Sequence, residues 1–117
     1  MVNGVTGSLV DVELLLVPDC PNGQPARDLL TSALRAVGLE GIPIRVSLIG
    51  SQRAAEARGF VGSPTILING RDPFGEPDRS PALACRVYPG SGVLPSVEQL
   101  EVALTHVAFT RQAPERP

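Results

Sequence analysis

The apolar positions near the start of the chain change from a broken to a continuous pattern. The segment from Ser8 to Val17 begins with polar residues between apolar ones, and Leu14 to Val17 form an unbroken apolar run. A run of this kind is typical of a strand that is covered on both faces of a sheet. The pattern therefore predicts a central strand over residues 8–17.

A helical period follows that strand. Pro25 suits the first turn of a helix. The backbone N–H groups of that turn have no partner within the helix, so a proline, which has no N–H, loses no hydrogen bond there. Gly38 is typical of the position just past a helix end. The residues between them predict an amphipathic helix, since apolar side chains recur with the spacing of one helix face, namely Ala26, Leu29, Leu30, Ala33, Leu34 and Val37.

The next segment predicts a second strand and a second helix. Ile44 to Leu48 alternates with period two, which would put Arg45 and Ser47 on the less buried side. Ser51 is a candidate cap for a short helix that ends near Gly59. Strand, helix, strand and helix in this order predict a parallel unit with a right-handed crossover.

The third strand is predicted over Thr65 to Ile68, and the turn dipeptide Asn69-Gly70 closes it. Residues 71–84 have no period and form a connection longer than most in a compact domain. Cys85 to Tyr88 is predicted to be a short fourth strand.

A last helix follows Pro95, where Ser96 and Gln99 have the spacing of a capping box. The tail over 112–117 has no apolar anchor, and we expect it to fray. The elements predict an α/β sandwich with a mixed four-stranded sheet, its third and fourth strands antiparallel to the first, and helices on both faces. We expect one domain over 1–117 with a core of about 8–109.

Composition narrows the range of functions. The net charge is −2 and the ten basic residues are scattered, so we expect no nucleic-acid partner. The first residues lack a basic stretch and no apolar run is long, so we expect no signal peptide, no membrane contact and a cytoplasmic location. Two cysteines in such a compartment suggest reactive, metal-binding or incidental thiols rather than a structural bridge.

Cys20 lies where the first strand ends and the first helix is about to begin. Its neighbours Pro18, Asp19, Pro21 and Asn22 are loop formers, so we expect the thiol to be partly exposed at the end of the sheet. The positive end of a helix favours a thiolate, whereas the adjacent carboxylate of Asp19 opposes one. The alternative is that Cys20 is a small buried hydrophobe.

The segments Cys20-Pro21-Asn22-Gly23 and Gly62-Ser63-Pro64-Thr65, with the element order over Ser8 to Ala108, resemble the thioredoxin superfamily at glutaredoxin size. The resemblance implies that Cys20 is the attacking thiol and that Pro64 follows a cis bond and faces it. It also implies that Ser63 offers backbone groups to an extended substrate, and that Gly23 occupies the place of the usual second cysteine. The implied substrate-binding residues are Pro21, Asn22, Gly23, Ser63, Pro64 and Thr65.

Residues 59–74 together with 84–88 are similar to a group of bacterial thioredoxin-like proteins, some of which carry the label alkylmercury lyase. Cys85 is the candidate second thiol. If the third and fourth strands form a hairpin, Cys85 lies away from Cys20 and packs in the core. The long 71–84 connection would instead allow it to return toward Cys20, and a disulfide needs Cα atoms within about 7 Å.

Three functions follow as expectations. The first is monothiol redox or mixed-disulfide chemistry at Cys20 with a small thiol or a protein disulfide partner. The second is a degenerate, non-catalytic binding module, because Gly23 cannot resolve a mixed disulfide. The third is handling of mercury or another soft metal by Cys20 with Cys85. We expect no resident metal and no cofactor, since His106 and two distant cysteines cannot close a zinc site.

Overall fold

The computed structural model describes residues 10–75, 79–88 and 90–112. The predicted start of the first strand at residues 8–9 lies outside the described residues. Of the tail predicted to fray over 112–117, Gln112 is the last residue of a helix, and residues 113–117 lie outside the described residues. Within those ranges the regular elements are β1 (Val12–Leu16), α1 (Gly23–Ala36), β2 (Ile44–Leu48), α2 (Gln52–Arg58), β3 (Thr65–Ile68) and α3 (Val97–Gln112).

The sheet has β1 at its centre, with β2 on one side and β3 on the other. β1 and β2 are parallel over their full lengths, from Val12 opposite Ile44 to Leu16 opposite Leu48. β3 runs antiparallel to β1, with Val12 opposite Ile68. The protein is therefore an α/β fold with a three-stranded mixed sheet and three helices, and the predicted antiparallel third strand is confirmed.

The predicted fourth strand over Cys85–Tyr88 is not part of this sheet. In the described part of the chain, Cys85 makes one parallel bridge to Ser63, just before β3, and Tyr88 makes an antiparallel bridge to Gly92. The long connection after β3 returns the chain to the start of that strand, so the two segments meet in parallel and cannot form the expected hairpin. A four-stranded sheet is thus not confirmed.

Helices cover both faces of β1. Val12 and Leu14 face α1 and α3, whereas Leu15 faces the side of α2. Full burial of each large apolar side chain contributes about 1.5–3 kcal/mol, so the larger cluster supplies most of the folding energy. Its buried members are Val10, Val12, Leu14, Ala26, Leu30, Ala33, Leu34, Ile66, Ile68, Leu100 and Leu104.

Two predicted helix caps are confirmed. The Ser51 side chain accepts a hydrogen bond from the Ala54 N–H, and Gly59 ends α2 with a left-handed φ of 62°. At α3, the Gln99 N–H donates to Ser96 Oγ while the Ser96 N–H donates to Gln99 Oε1. The caps satisfy N–H groups that a helix cannot bond internally, and they set where α2 and α3 begin.

The prediction for the sides of β2 holds for Arg45, which is exposed, but is wrong for Ser47. Val46 is 40% exposed and Leu48 is 63% exposed, while Ser47 is half-buried. The reason is that β2 is an edge strand of the described sheet, and Val46 and Leu48 line a cleft instead of packing against a helix of the described residues. Ser47 turns inward because its hydroxyl donates to Glu13 Oε2 at 2.6 Å.

Glu13 is a buried carboxylate in the middle of β1. Arg58 of α2 donates to its Oε1 at 2.8 Å, and Arg45 of β2 lies 3.8 Å from its Oε2. Burial raises the pKa of Glu13, but the hydrogen bonds from Arg58 and Ser47 and the two guanidinium charges outweigh it, so the pKa lies below its ordinary value of 4.5. Glu13 thereby connects β1 to both β2 and α2.

We predict that Glu13→Gln lowers the free energy of unfolding at neutral pH by about 1 kcal/mol, because charge-assisted hydrogen bonds become neutral ones and the two arginines are partly solvated. A carboxylate whose pKa is lower in the folded protein than in the unfolded chain stabilises the folded protein, and this stabilisation is complete above the ordinary pKa. This stability is lost as pH falls through the folded pKa. Urea unfolding above and below pH 4.5 should show the difference between the proteins shrinking at the acid side.

The matched control is Glu56→Gln, which changes an exposed carboxylate on α2. It should change stability by less than about 0.5 kcal/mol at neutral pH. A Glu13→Gln difference that grows as pH falls would contradict this account of Glu13.

Candidate functional site

The loop between β1 and α1 presents Cys20. Pro18 and Pro21 stop any continuation of the β-ladder, and Asp19 adopts a left-handed φ of 61°. Cys20 is half-buried, and its carbonyl accepts a hydrogen bond from the Gly23 N–H at 3.1 Å. The thiol therefore lies three residues before the first residue of α1, at the end of the central strand.

Ser63 is the direct neighbour of this thiol. It is fully buried, its Oγ accepts a hydrogen bond from the Val17 N–H at 3.1 Å, and its hydroxyl donates to Cys20 Sγ at 3.0 Å. A hydroxyl has one proton, so accepting from Val17 leaves that proton for the sulfur. The Ser63–Pro64 bond is cis, as the sequence predicted.

Gly23 occupies the place where the resemblance puts a second cysteine. A Cβ atom at this position would lie 3.0 Å from Leu16 Cδ1. The first turn of α1 thus approaches the end of β1 more closely than a side chain at residue 23 comfortably allows. This turn carries no second thiol, and a side chain at residue 23 would require the end of the Leu16 side chain to shift.

A cleft of about 210 Å³ opens beside Cys20, between the first turns of α1 and the ends of β1 and β2. Its walls are largely apolar, which includes the exposed Leu48, and its polar groups come from the loop and the helix. The lining residues are Leu14, Leu16, Val17, Asp19, Cys20, Gly23, Gln24, Arg27, Val46 and Leu48. The cleft is smaller than typical sites for drug-sized ligands, which measure about 300–1,000 Å³.

The backbone of Ser63 is already paired with the chain's own residues. Its N–H donates to the Ala84 carbonyl at 2.7 Å, and its carbonyl accepts from the Arg86 N–H at 3.0 Å. The resemblance implied that these groups are offered to an extended substrate. In the structure, residues 84–86 take both of them.

Arg86 holds this segment in place. It is fully buried, and its Nη1 donates to Asp72 Oδ2 at 2.7 Å and to Thr65 Oγ1 at 3.2 Å, while Nη2 donates to the Phe74 carbonyl at 2.6 Å. Its guanidinium also lies over the Tyr88 ring, 4.4 Å from the centroid. A buried charge is tolerated only with such partners, so these contacts define one position for the segment.

Sequence reasoning missed Arg86. The guanidinium of Arg86 pairs with the Asp72 carboxylate, fourteen residues earlier in the chain. Nothing in the spacing of Arg86 distinguishes it from the other arginines. The close approach at Gly62, where a Cβ would lie 2.9 Å from Arg86 Cβ, is visible only in the folded chain.

The remaining predicted site residues are Pro21 and Asn22, in the loop before α1, and Thr65, which follows Pro64 at the start of β3. Pro21 is exposed, and Asn22 caps α1 without a side-chain hydrogen bond. Thr65 is buried and donates from its hydroxyl to the Gly62 carbonyl at 2.6 Å. The Tyr88 hydroxyl donates to the Pro64 carbonyl at 2.6 Å, on the other side of the cis bond from Ser63.

The prediction that Cys85 packs in the core is wrong. Cys85 is exposed, and its backbone lies beside Ser63 rather than at the far end of a hairpin. Both cysteines are free thiols. Among the described residues, no group of three or more His, Cys, Asp or Glu side chains is arranged to hold a metal ion.

Comparison of the chain with protein-family models, with curated proteins and with solved structures finds no match. No helix in the described ranges is long and apolar enough to cross a membrane. The resemblance to thioredoxin-like proteins therefore stays a prediction, and the function is inferred from the site itself.

We predict that Arg86→Met lowers the free energy of unfolding by about 2–4 kcal/mol, because Asp72 Oδ2 and the Phe74 carbonyl lose the donor that Arg86 supplies. Arg35→Met is the matched control, since Arg35 and Glu40 form an exposed pair at 3.6 Å. The control should change stability by less than about 0.5 kcal/mol. Equal urea midpoints for the two variants would contradict the anchoring role of Arg86.

Proposed function

We propose that this protein is a thioredoxin-like thiol protein in which Cys20 exchanges with a small disulfide. The observation that carries the proposal is the hydrogen bond from the buried Ser63 hydroxyl to Cys20 Sγ, beside the cis bond to Pro64. The parallel β1–β2 pair, the antiparallel β3 and the helices on both faces support a thioredoxin-like arrangement.

In the proposed reaction, Cys20 loses its proton to water and the thiolate attacks one sulfur of the disulfide. A bond forms between Cys20 Sγ and that sulfur, the disulfide bond breaks, and the second sulfur leaves as a thiolate that takes up a proton. The Ser63 hydroxyl donates to Cys20 Sγ, and a hydrogen bond to an anionic acceptor is stronger than one to a neutral acceptor. Val17 keeps that hydroxyl aimed at the sulfur.

Two features support a small partner rather than an extended peptide. The backbone groups of Ser63 that would pair with a peptide are bonded to residues 84–86. The cleft at Cys20 has a volume of about 210 Å³ and largely apolar walls, and its charged lining residues are Asp19 and Arg27. A small disulfide with an apolar body matches these walls.

The second candidate is a binding module without chemistry, which Gly23 favours because this turn lacks a second thiol. The two candidates differ in the role of the sulfur. In the binding module, Cys20→Ser retains the ligand in the cleft, whereas in the proposed function the same variant abolishes mixed-disulfide formation.

We predict that Ser63→Ala slows alkylation of Cys20 by iodoacetamide at neutral pH about fivefold, because a hydrogen bond of about 1 kcal/mol to the reacting sulfur is lost. Quantitative mass spectrometry of the peptide that contains Cys20 measures the rate. Ser47→Ala is the matched control, since it also removes a serine hydroxyl bonded within the sheet region, there to Glu13.

Ser47→Ala should leave the alkylation rate of Cys20 unchanged. Equal rates for wild type and Ser63→Ala would remove the role proposed for the Ser63 hydroxyl. A Cys20 that reacts no faster than free cysteine in the wild type would contradict the proposed thiol chemistry itself.

A further inference from the structure

The parallel bridge between Ser63 and Cys85 has a geometric consequence. Directly paired residues of neighbouring strands project their side chains to the same side. The Ser63 side chain reaches Cys20 Sγ at 3.0 Å, so the side chain of Cys85 projects toward the side on which Cys20 lies. Neighbouring strands are about 4.8 Å apart, so Cys85 lies one strand spacing from the residue that contacts Cys20.

We infer that Cys85 is the resolving thiol for Cys20, which rests on the function proposed above. Three observations support this role. Gly23 leaves the first turn of α1 without a second thiol. Cys85 is exposed and free, so a reagent and a mixed disulfide can both reach it. The buried Arg86, the next residue, anchors Cys85 beside Ser63.

The proposed reaction needs only the protein and one small disulfide, and its electrons and protons balance between them. Cys20 attacks a small disulfide, forms a mixed disulfide and releases one small thiol. The Cys85 thiolate then attacks Cys20 Sγ, a Cys20–Cys85 bond forms, and the remaining half of the reagent leaves as a second thiol. The protein loses two electrons and two protons, and the small disulfide gains them as two thiols.

This assignment also explains why residues 84–86 occupy the backbone groups of Ser63. The chain's own cysteine lies where a peptide substrate would pair. The second thiol therefore comes from a distant part of the sequence and is brought in by backbone pairing, instead of from the same helical turn.

The test uses the full, reduced chain with one equivalent of 5,5′-dithiobis(2-nitrobenzoic acid), whose released thiol is coloured. For the wild type we expect two equivalents of coloured thiol per reagent molecule, no mass adduct, and a peptide pair joined through Cys20 and Cys85. The rate of the second release should not depend on protein concentration, because the step is intramolecular.

In Cys85→Ser the second release should be lost, and one adduct should remain on Cys20. The positional control combines Cys85→Ser with Ala84→Cys, because residue 84 is also exposed and projects to the opposite side of the segment. This control keeps a thiol in the segment and should still retain the adduct on Cys20.

The outcomes separate the two proposals. A stable adduct on Cys20 in the wild type, without an internal disulfide, would overturn the role of Cys85 and leave thiol exchange at Cys20 intact. Resolution by Ala84→Cys as fast as by Cys85 would also overturn it. Failure of Cys20 to react in every variant would overturn the proposed function.

Discussion

The arrangement of the site depends on the two hydrogen bonds made by the buried Ser63 hydroxyl. It accepts from the backbone at the end of β1 and donates to the sulfur of Cys20. Its own backbone pairs with residues 84–86 on the other side. Three distant segments of the chain thus meet at one residue, and the hydrogen bonds satisfy polar groups that would be costly to bury alone.

The second constraint is the buried guanidinium of Arg86. Removing a charge from water is costly, and here the Asp72 carboxylate, a backbone carbonyl and the Tyr88 ring offset that cost together. The result is a specific position for residues 84–86 rather than a large gain in stability. That position brings Cys85 next to Ser63, the residue whose hydroxyl donates to Cys20 Sγ.

Sequence patterns predicted the features that depend on local chain properties. The helix periods and the caps at Ser51 and Ser96 could be predicted from neighbouring residues, and the structure confirms them. The cis bond before Pro64, which the structure also shows, was implied by the family resemblance rather than by its neighbours. The position of Cys85 could not be predicted from neighbouring residues, because it depends on how a long aperiodic connection returns to the sheet. The same limit applies to Arg86, whose partners are distant in sequence.

The sequence pattern also did not predict which side chains of β2 are exposed. Alternation identifies a strand, but it does not show whether a helix lies above each face, and β2 is an edge strand with Leu48 exposed. That exposure is what gives the cleft beside Cys20 its apolar wall. The least predictable part of the fold is therefore the part that shapes the candidate site.

The proposed juxtaposition of the Cys20 and Cys85 thiols, each next to Ser63, is the claim on which the site depends. A bifunctional thiol-alkylating reagent of short, rigid span, added in slight deficiency to the reduced protein, tests this claim without redox chemistry. We expect one intramolecular product that joins the peptides containing Cys20 and Cys85. Separate single adducts on the two cysteines, with the second arm of the reagent consumed by water, would contradict the claim.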